Sequence, residues 1–255
     1  MIATCDIRAS VLVGALHTLP AMKLRGALLD IDGTFLNSND AHAAAWVEAL
    51  REHGIVAEAA YVRRLVGMGA DNLLPCFDVA KDSARGRSLA DRHGALFKQN
   101  WLPRLRPFPG ARALVARMRD EGLVRVVATS ASGDELEGLL RAAEIDDLVD
   151  AATTASDAPA SKPAPDIVRA AIVRAGLDPR ELVMLGDTPY DVAAARKAGV
   201  RIIGMRCGGW NDAELTGAIR VYQDPNDLLA RWQSSPLASA VTSFTPAMSK
   251  ANALA

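Results

Sequence analysis

Cysteine is scarce in this chain. The three present, Cys5, Cys76 and Cys207, are odd in number and far apart, and no two stand at the spacing of a metal knuckle or a redox pair. A disulfide framework is thereby disfavoured, and a reducing compartment, the cytoplasm, is expected. Long apolar runs are missing as well: the nearest candidate, residues 11–16, falls far short of a bilayer span. Asp6 beside Arg8 ahead of that run, with no small-residue cleavage site after it, spoils it as a signal peptide, and no membrane partner is expected. Neither sign of charge is in excess, with 29 Lys and Arg against 30 Asp and Glu, and no dense basic stripe could track a phosphate backbone. Nucleic acid is therefore not an expected partner. No internal repeat occurs at a solenoid period.

What the chain does have is length and apolar content: 255 residues, half of them apolar, suffice for one large α/β domain or for a core domain carrying a smaller one. From Leu24 onward, apolar runs ending in acidic or hydroxyl residues alternate with segments of helical period, the pattern of strands and helices around a parallel sheet. Strands are predicted at residues 24–30, 124–129, 151–154, 182–186 and 201–205, with chemistry at their carboxyl ends. Between the first two, residues 40–105 offer amphipathic helical stretches and no good strand. Trp46 and Leu50 share one helical face before Gly54 closes that helix, and Leu89, Leu96, Phe97 and Trp101 line another. After Phe108, Pro109 and Gly110 punctuate the return to a helix through Leu114 and Met118. The predicted architecture is α/β: a doubly wound, Rossmann-like parallel-sheet core at 23–38 and 107–233, with an α-helical cap domain inserted at 39–106. Residues 1–22 read as an extension, with Met22 an alternative start. Residues 234–255, rich in Ser, Ala, Thr and Pro and nearly uncharged, read as a flexible tail.

The strongest local signal is Asp30-Ile31-Asp32-Gly33-Thr34 at the end of a buried strand. Two carboxylates two residues apart leave a strand on the same side, within reach of one cation or one phosphoryl group, and Gly33 permits a sharp turn after them. A second candidate is Gly186-Asp187-Thr188-Pro189-Tyr190-Asp191. Pro189 suits the first turn of the following helix and Gly199 its end; Asp191 is explained equally by the positive helix terminus or by a metal. Asp187 ends a buried strand, where an unpaired carboxylate is costly unless a cation or hydrogen bonds satisfy it. Ser130 follows an apolar strand, and Lys162 stands in Ser161-Lys162-Pro163-Ala164-Pro165-Asp166, where the prolines restrict its backbone. A hydroxyl and a fixed cation are what a phosphoryl group needs for orientation and charge neutralisation. Taken singly, Ser130 or Ser132 reads as a helix N-cap and Lys162 as a solvated loop residue.

The four elements occur in order, each at a predicted strand end, and in this conjunction the sequence resembles the haloacid dehalogenase superfamily. Asp30 to Thr34 resembles its first motif, Ser130 its second, Lys162 its third, and Gly186-Asp187 with Asp191 its fourth. The helical insertion resembles the small cap of the phosphoglycolate phosphatase and β-phosphoglucomutase branch, and Gly208-Gly209-Trp210 is similar to phosphatase-like members. The resemblance implies a magnesium-dependent phosphatase acting on a small phosphorylated metabolite. Asp30 would attack phosphorus, and Asp32 would protonate the leaving oxygen and then activate water. Mg2+ would be held by Asp30, the Asp32 carbonyl and Asp187, with Asp191 helping through water. Lys162 would neutralise charge, and Ser130, or Thr129 in its place, would bind a phosphate oxygen. Gly33, Thr34 and Ala131 are expected around the substrate as well. His42, twelve residues after Asp30, matches a histidine of related phosphomutases and could steer the proton. Arg63, Arg64, Gly67 and Met68 resemble a substrate-specificity loop. A dehalogenase is disfavoured because that branch lacks an acid at the position of Asp32; a phosphomutase is the leading alternative, and a non-catalytic binding protein is a remote one.

Overall fold

The computed structural model describes residues 23–240. The expected N-terminal extension, 1–22, and the tail beyond residue 240 lie outside the described residues. Six strands form one parallel sheet: β1 Gly26–Leu29, β2 Val124–Ala128, β3 Ala151–Thr153, β4 Leu182–Gly186, β5 Arg201–Met205 and β6 Arg220–Tyr222, in the order β3-β2-β1-β4-β5-β6. β6 had no counterpart in the sequence reading. It is a short edge strand, Arg-Val-Tyr, with no apolar run to announce it. The register pairs Leu29 with Val127 on one side and with Leu185 on the other. The chain moves outward from β1 through β2 and β3, then returns to lay β4, β5 and β6 on the other side. β1 and β4 therefore flank the point where strand order reverses, the place where such sheets open a crevice beyond their carboxyl ends.

Successive strand residues point to opposite faces, and both faces are apolar, as a sheet covered on two sides requires. Leu29, Val127, Val183, Leu185 and Ile203 join one core, and Leu28, Val126, Met184 and Ile202 join the other. The first core takes in α5, Ala111–Asp120, through Leu114, Val115 and Met118. The second takes in α7, Asp166–Ala175, and α8, Pro189–Ala198. Leu28 and Leu29 are fully buried, and each such side chain contributes about 1.5–3 kcal/mol. Truncating either to alanine would cost about 2–5 kcal/mol.

Between β1 and β2 the chain runs through α1 Asn39–Glu52, α2 Ala59–Leu65, α3 Ala70–Leu73 and α4 Ala84–Leu96, then a π-helical turn, Phe97–Trp101. Gly54 follows α1 at φ +74°, a left-handed geometry that glycine adopts without strain. The departing and returning segments lie side by side: Asn37 N–H donates to Arg106 O at 3.1 Å and Phe108 N–H to Phe35 O at 2.9 Å. α1 and α4 pack through Ala45, Trp46, Ala49, Leu89, Leu96 and Phe97. α6, Gly133–Ala142, follows β2, and α9, Pro225–Ala230, follows β6. Ser235 and Leu237 are buried, so the packed chain runs a few residues past Ser234, where composition had placed the start of a tail. Among the described residues, no helix is long and apolar enough to cross a membrane.

Candidate active site

Asp30 stands one residue past β1 and Asp187 one past β4, so adjacent strands deliver two carboxylates to the crevice. Asp30 N–H still donates to Leu185 O at 3.0 Å, which fixes its backbone to the sheet. The expected strand ends a residue early, and Asp32 lies in the turn beyond it; turn geometry rather than strand alternation aims the second acid. Gly33 makes that turn at φ +81°, and a Cβ there would collide with Asn39 Nδ2 and Asp187 Oδ2, so the site closes only around glycine. The Thr34 hydroxyl lies 2.9 Å from Asp30 Oδ2 and 3.2 Å from Asp187 Oδ1, and Asn39 Nδ2 donates to Asp187 Oδ2 at 2.9 Å.

Lys162, 1% exposed, reaches the same point from the loop before α7. Its Nζ lies 2.5 Å from Asp30 Oδ1 and 2.8 Å from Asp191 Oδ1. Thr188 caps α8, and Asp191 accepts from Thr188 N–H at 3.0 Å and Oγ at 2.6 Å. The helix-terminus explanation of Asp191 thus holds, and the same carboxylate also anchors the lysine. Oxygens of Asp30, Asp187 and Asp191 lie within 4.8 Å of one another, all buried, with one ammonium among them. Burial, with help from Asp191 and Asp32 and against the pull of Lys162, pushes the Asp30 carboxyl up to about 7. Burial, then Asp30 and Asp191, raise Asp187 well above the ordinary carboxylate range. Burial would lower Lys162, but Asp191 and Asp30 outweigh it and keep the lysine charged. Buried carboxyl groups thus outnumber the one ammonium among them, and an all-oxygen donor set of this kind fits a hard divalent cation.

The raised Asp30 has a consequence for stability. Its proton is held more tightly in the folded chain than in the unfolded one, so its contribution is complete below the ordinary carboxylate value and is lost as pH rises through about 7. In chelator, wild type is expected to lose stability relative to Asp30→Asn, by up to about 1.4 kcal/mol per pH unit, between about pH 5 and about pH 7. Denaturant melts of both proteins across that range measure the difference. A constant gap between them would mean that Asp30 ionises as it does in water.

Asp32 faces the other wall. Its Oδ1 accepts from Ser38 Oγ at 2.6 Å and lies 3.1 Å from His42 Nε2. Burial opposes ionisation of Asp32, but the His42 charge and the hydrogen bonds from His42 and Ser38 bring it below its ordinary value. Burial likewise opposes charge on His42, and Asp32 overcomes it, raising the imidazole. His42 is 8% exposed and stacks on Phe97 with ring centroids 3.8 Å apart; it is not a helix-surface residue. Ser38, Asn39 and His93 were missed in the sequence because each works on a partner brought in by the fold. Ser38 and Asn39 follow the first motif closely, and their polar side chains ahead of a helix were the one available signal.

A cavity of about 510 Å³ opens between the sheet edge and the inserted helices. Asp30, Asp32, His42, Gly67, Met68 and Ser130 line it, as do Thr129 and Ala131. Ser130 Oγ is buried with no partner among the described residues, whereas Thr129 Oγ1 already accepts from Ala131 N–H at 3.1 Å. Ser132, not Ser130, caps α6, in a capping box with Glu135. Gly33 and Thr34, expected around the substrate, do not line the cavity; they shape and hold the carboxylates. Arg63 and Arg64 are also off it. Arg63 pairs with Asp40 at 2.6 Å and donates to Gly208 O at 2.7 Å, while Arg64 pairs with Glu214 and lies 3.3 Å over the Trp210 ring. Both arginines end α2 where it meets the segment after β5, and they clasp that segment instead of lining the cavity.

The model of the haloacid dehalogenase-like hydrolases matches residues 27–205. The chain belongs to this family. Among relatives of the hydrolase, a phosphoglycolate phosphatase of Rhodospirillum rubrum is 31% identical over 215 residues, covering 78% of this chain and 87% of its own. A hydrolase from Pseudomonas syringae has the same fold at TM-score 0.76 and 29% identity, over 82% of this chain and 98% of that one. The β-phosphoglucomutase of Clostridium difficile shares the fold at TM-score 0.74 and 16% identity, over 86% and 100% of the two chains.

Proposed function

We propose that this hydrolase is a cytoplasmic, magnesium-dependent phosphatase that cleaves a small phosphate monoester through a phosphorylated Asp30. The observation that carries the reading is one cavity in which a buried carboxylate held by Lys162 and a second acid paired with His42 face the same space. An Asp30 oxygen attacks phosphorus and the bond to the leaving oxygen breaks. That oxygen takes a proton from Asp32, which the charged His42 passes to it from Nε2 across 3.1 Å. Asp32, now a carboxylate, takes a proton from water as the water attacks the phosphorus of the acyl phosphate, releasing inorganic phosphate and restoring Asp30. Lys162 offsets charge on the nucleophile and on the transferring group, and the unpartnered Ser130 hydroxyl donates to a phosphate oxygen. Asp30, Asp187 and the Asp32 carbonyl would hold Mg2+, with Asp191 nearby; when bound, the ion supplies charge neutralisation to the phosphoryl oxygens.

The relative named for phosphoglycolate, together with the volume of the cavity, supports a substrate such as phosphoglycolate or a sugar phosphate. A phosphomutase would use the same residues, and His42 against Asp32 is the feature that favours it as the second reading. Purified enzyme should hydrolyse p-nitrophenyl phosphate with Mg2+ and lose that activity in excess chelator, with recovery on adding the ion back. Turnover that persists undiminished in chelator would remove the metal from the reading. Incubation with hexose 1-phosphate separates the two activities: inorganic phosphate marks the phosphatase and hexose 6-phosphate the mutase.

A further inference from the structure

His93 is a buried histidine that the steps above do not use. It lies on α4, 8% exposed, and its Nε2 is 3.4 Å from Nδ1 of His42, whose other nitrogen faces Asp32. The two rings are locked from both helices. His42 and Trp46 stand one turn apart on α1, and His93 and Phe97 one turn apart across the end of α4. Phe97 stacks on His42 at 3.8 Å and Trp46 on His93 at 4.1 Å, with the ring planes 9° and 11° apart. An aromatic ladder of this kind leaves neither imidazole free to rotate, so the direction of the hydrogen bond between them is what remains to be set.

We propose that His93 is a positioning residue for proton transfer: its Nε2 accepts from His42 Nδ1–H and thereby fixes the tautomer in which His42 Nε2 is the nitrogen that meets Asp32. This rests on the reading of Asp32 as proton donor to the leaving oxygen. With a proton resident on Nδ1, the only site on the ring that can exchange a proton is Nε2, 3.1 Å from Asp32 Oδ1. An acceptor at His93 must be neutral. Burial, and the neighbouring His42, hold its imidazole well below the usual histidine value. Removing the acceptor would let the proton on His42 shift between its nitrogens and blunt the exchange with Asp32.

Two aryl phosphates test this, because p-nitrophenolate departs without protonation and phenolate does not. kcat/KM, which ends at loss of the leaving group, is measured for p-nitrophenyl phosphate and phenyl phosphate in wild type, His93→Leu, His93→Gln and Asp32→Asn. His93→Leu should lose about tenfold or more on phenyl phosphate and under about threefold on p-nitrophenyl phosphate. His93→Gln, whose amide oxygen can accept from Nδ1–H, should recover most of the loss. Equal losses on both substrates in His93→Leu, or a glutamine variant as impaired as the leucine one, would overturn the inference. Asp32→Asn should show the same selectivity, more strongly. If it is selective and His93→Leu is not, the inference alone fails; if Asp32→Asn loses equally on both substrates, the proton-donor reading and the inference fall together. Thermal melts of each variant separate lost fold from lost positioning.

Discussion

Asp30→Asn is expected to lower kcat by at least about 10⁴-fold, to the limit of detection, because on the proposed mechanism the substitution removes the nucleophile and leaves the surrounding site to bind substrate alone. The amide is nearly isosteric, and the burial that pushes Asp30 toward protonation means the fold tolerates a neutral group there. Stability should therefore be retained or improved while turnover disappears. Acid-quenched mass spectrometry is the decisive companion measurement. Wild type caught during turnover should carry phosphate on the peptide containing Asp30, Asp30→Asn should carry none, and Asp32→Asn should still accept phosphate and release it slowly. Phosphate on Ser130 or on a histidine would show that Asp30 is not the nucleophile.

Lys162→Met should damage both stability and rate. Among the described residues its ammonium is the only cation paired with Asp30 and Asp191, and it is 1% exposed, so the variant leaves buried carboxyl groups without compensation. Breaking a buried pair from one side costs about 3–5 kcal/mol, far more than a surface ion pair is worth. The full cost applies in chelator at neutral pH, and Mg2+ should recover part of it by supplying charge to the same carboxylates. For kcat, the proposed mechanism aims this charge at the transferring group, and its loss then corresponds to about 10²–10³-fold. Urea denaturation with and without Mg2+, together with kcat on p-nitrophenyl phosphate, measures both. A destabilisation under about 1 kcal/mol would indicate that Lys162 does not offset buried charge on Asp30 and Asp191.

How much of this was legible without the structure differs from residue to residue. The apolar runs that became β1, β2, β4 and β5 were read to within two residues, since a strand buried on both faces is apolar along most of its length and a polar residue follows its end. Asp30, Asp187 and Ser130 sit at such ends, so their direction into the crevice follows from local pattern. Lys162 was visible through its prolines and through its place in the order of the four motifs. His42 was visible through spacing, but its burial against Phe97 was not, because a histidine on an amphipathic helix carries no local sign of what covers it.

By itself the sequence determined the strand ends and hence which acids and hydroxyl share one edge of a parallel sheet, because strand period and termination depend only on neighbours along the chain. The tertiary structure alone decided their partners. It set Asp191 on Lys162, carried Arg63 and Arg64 away from the cavity onto Gly208, Glu214 and Trp210, and brought His93 of α4 against His42 of α1. Charge pairs and ring stacks of that kind form between elements far apart in the chain. Which of several possible partners a side chain takes is fixed by the register and angle at which those elements pack, and neither is written in a local period.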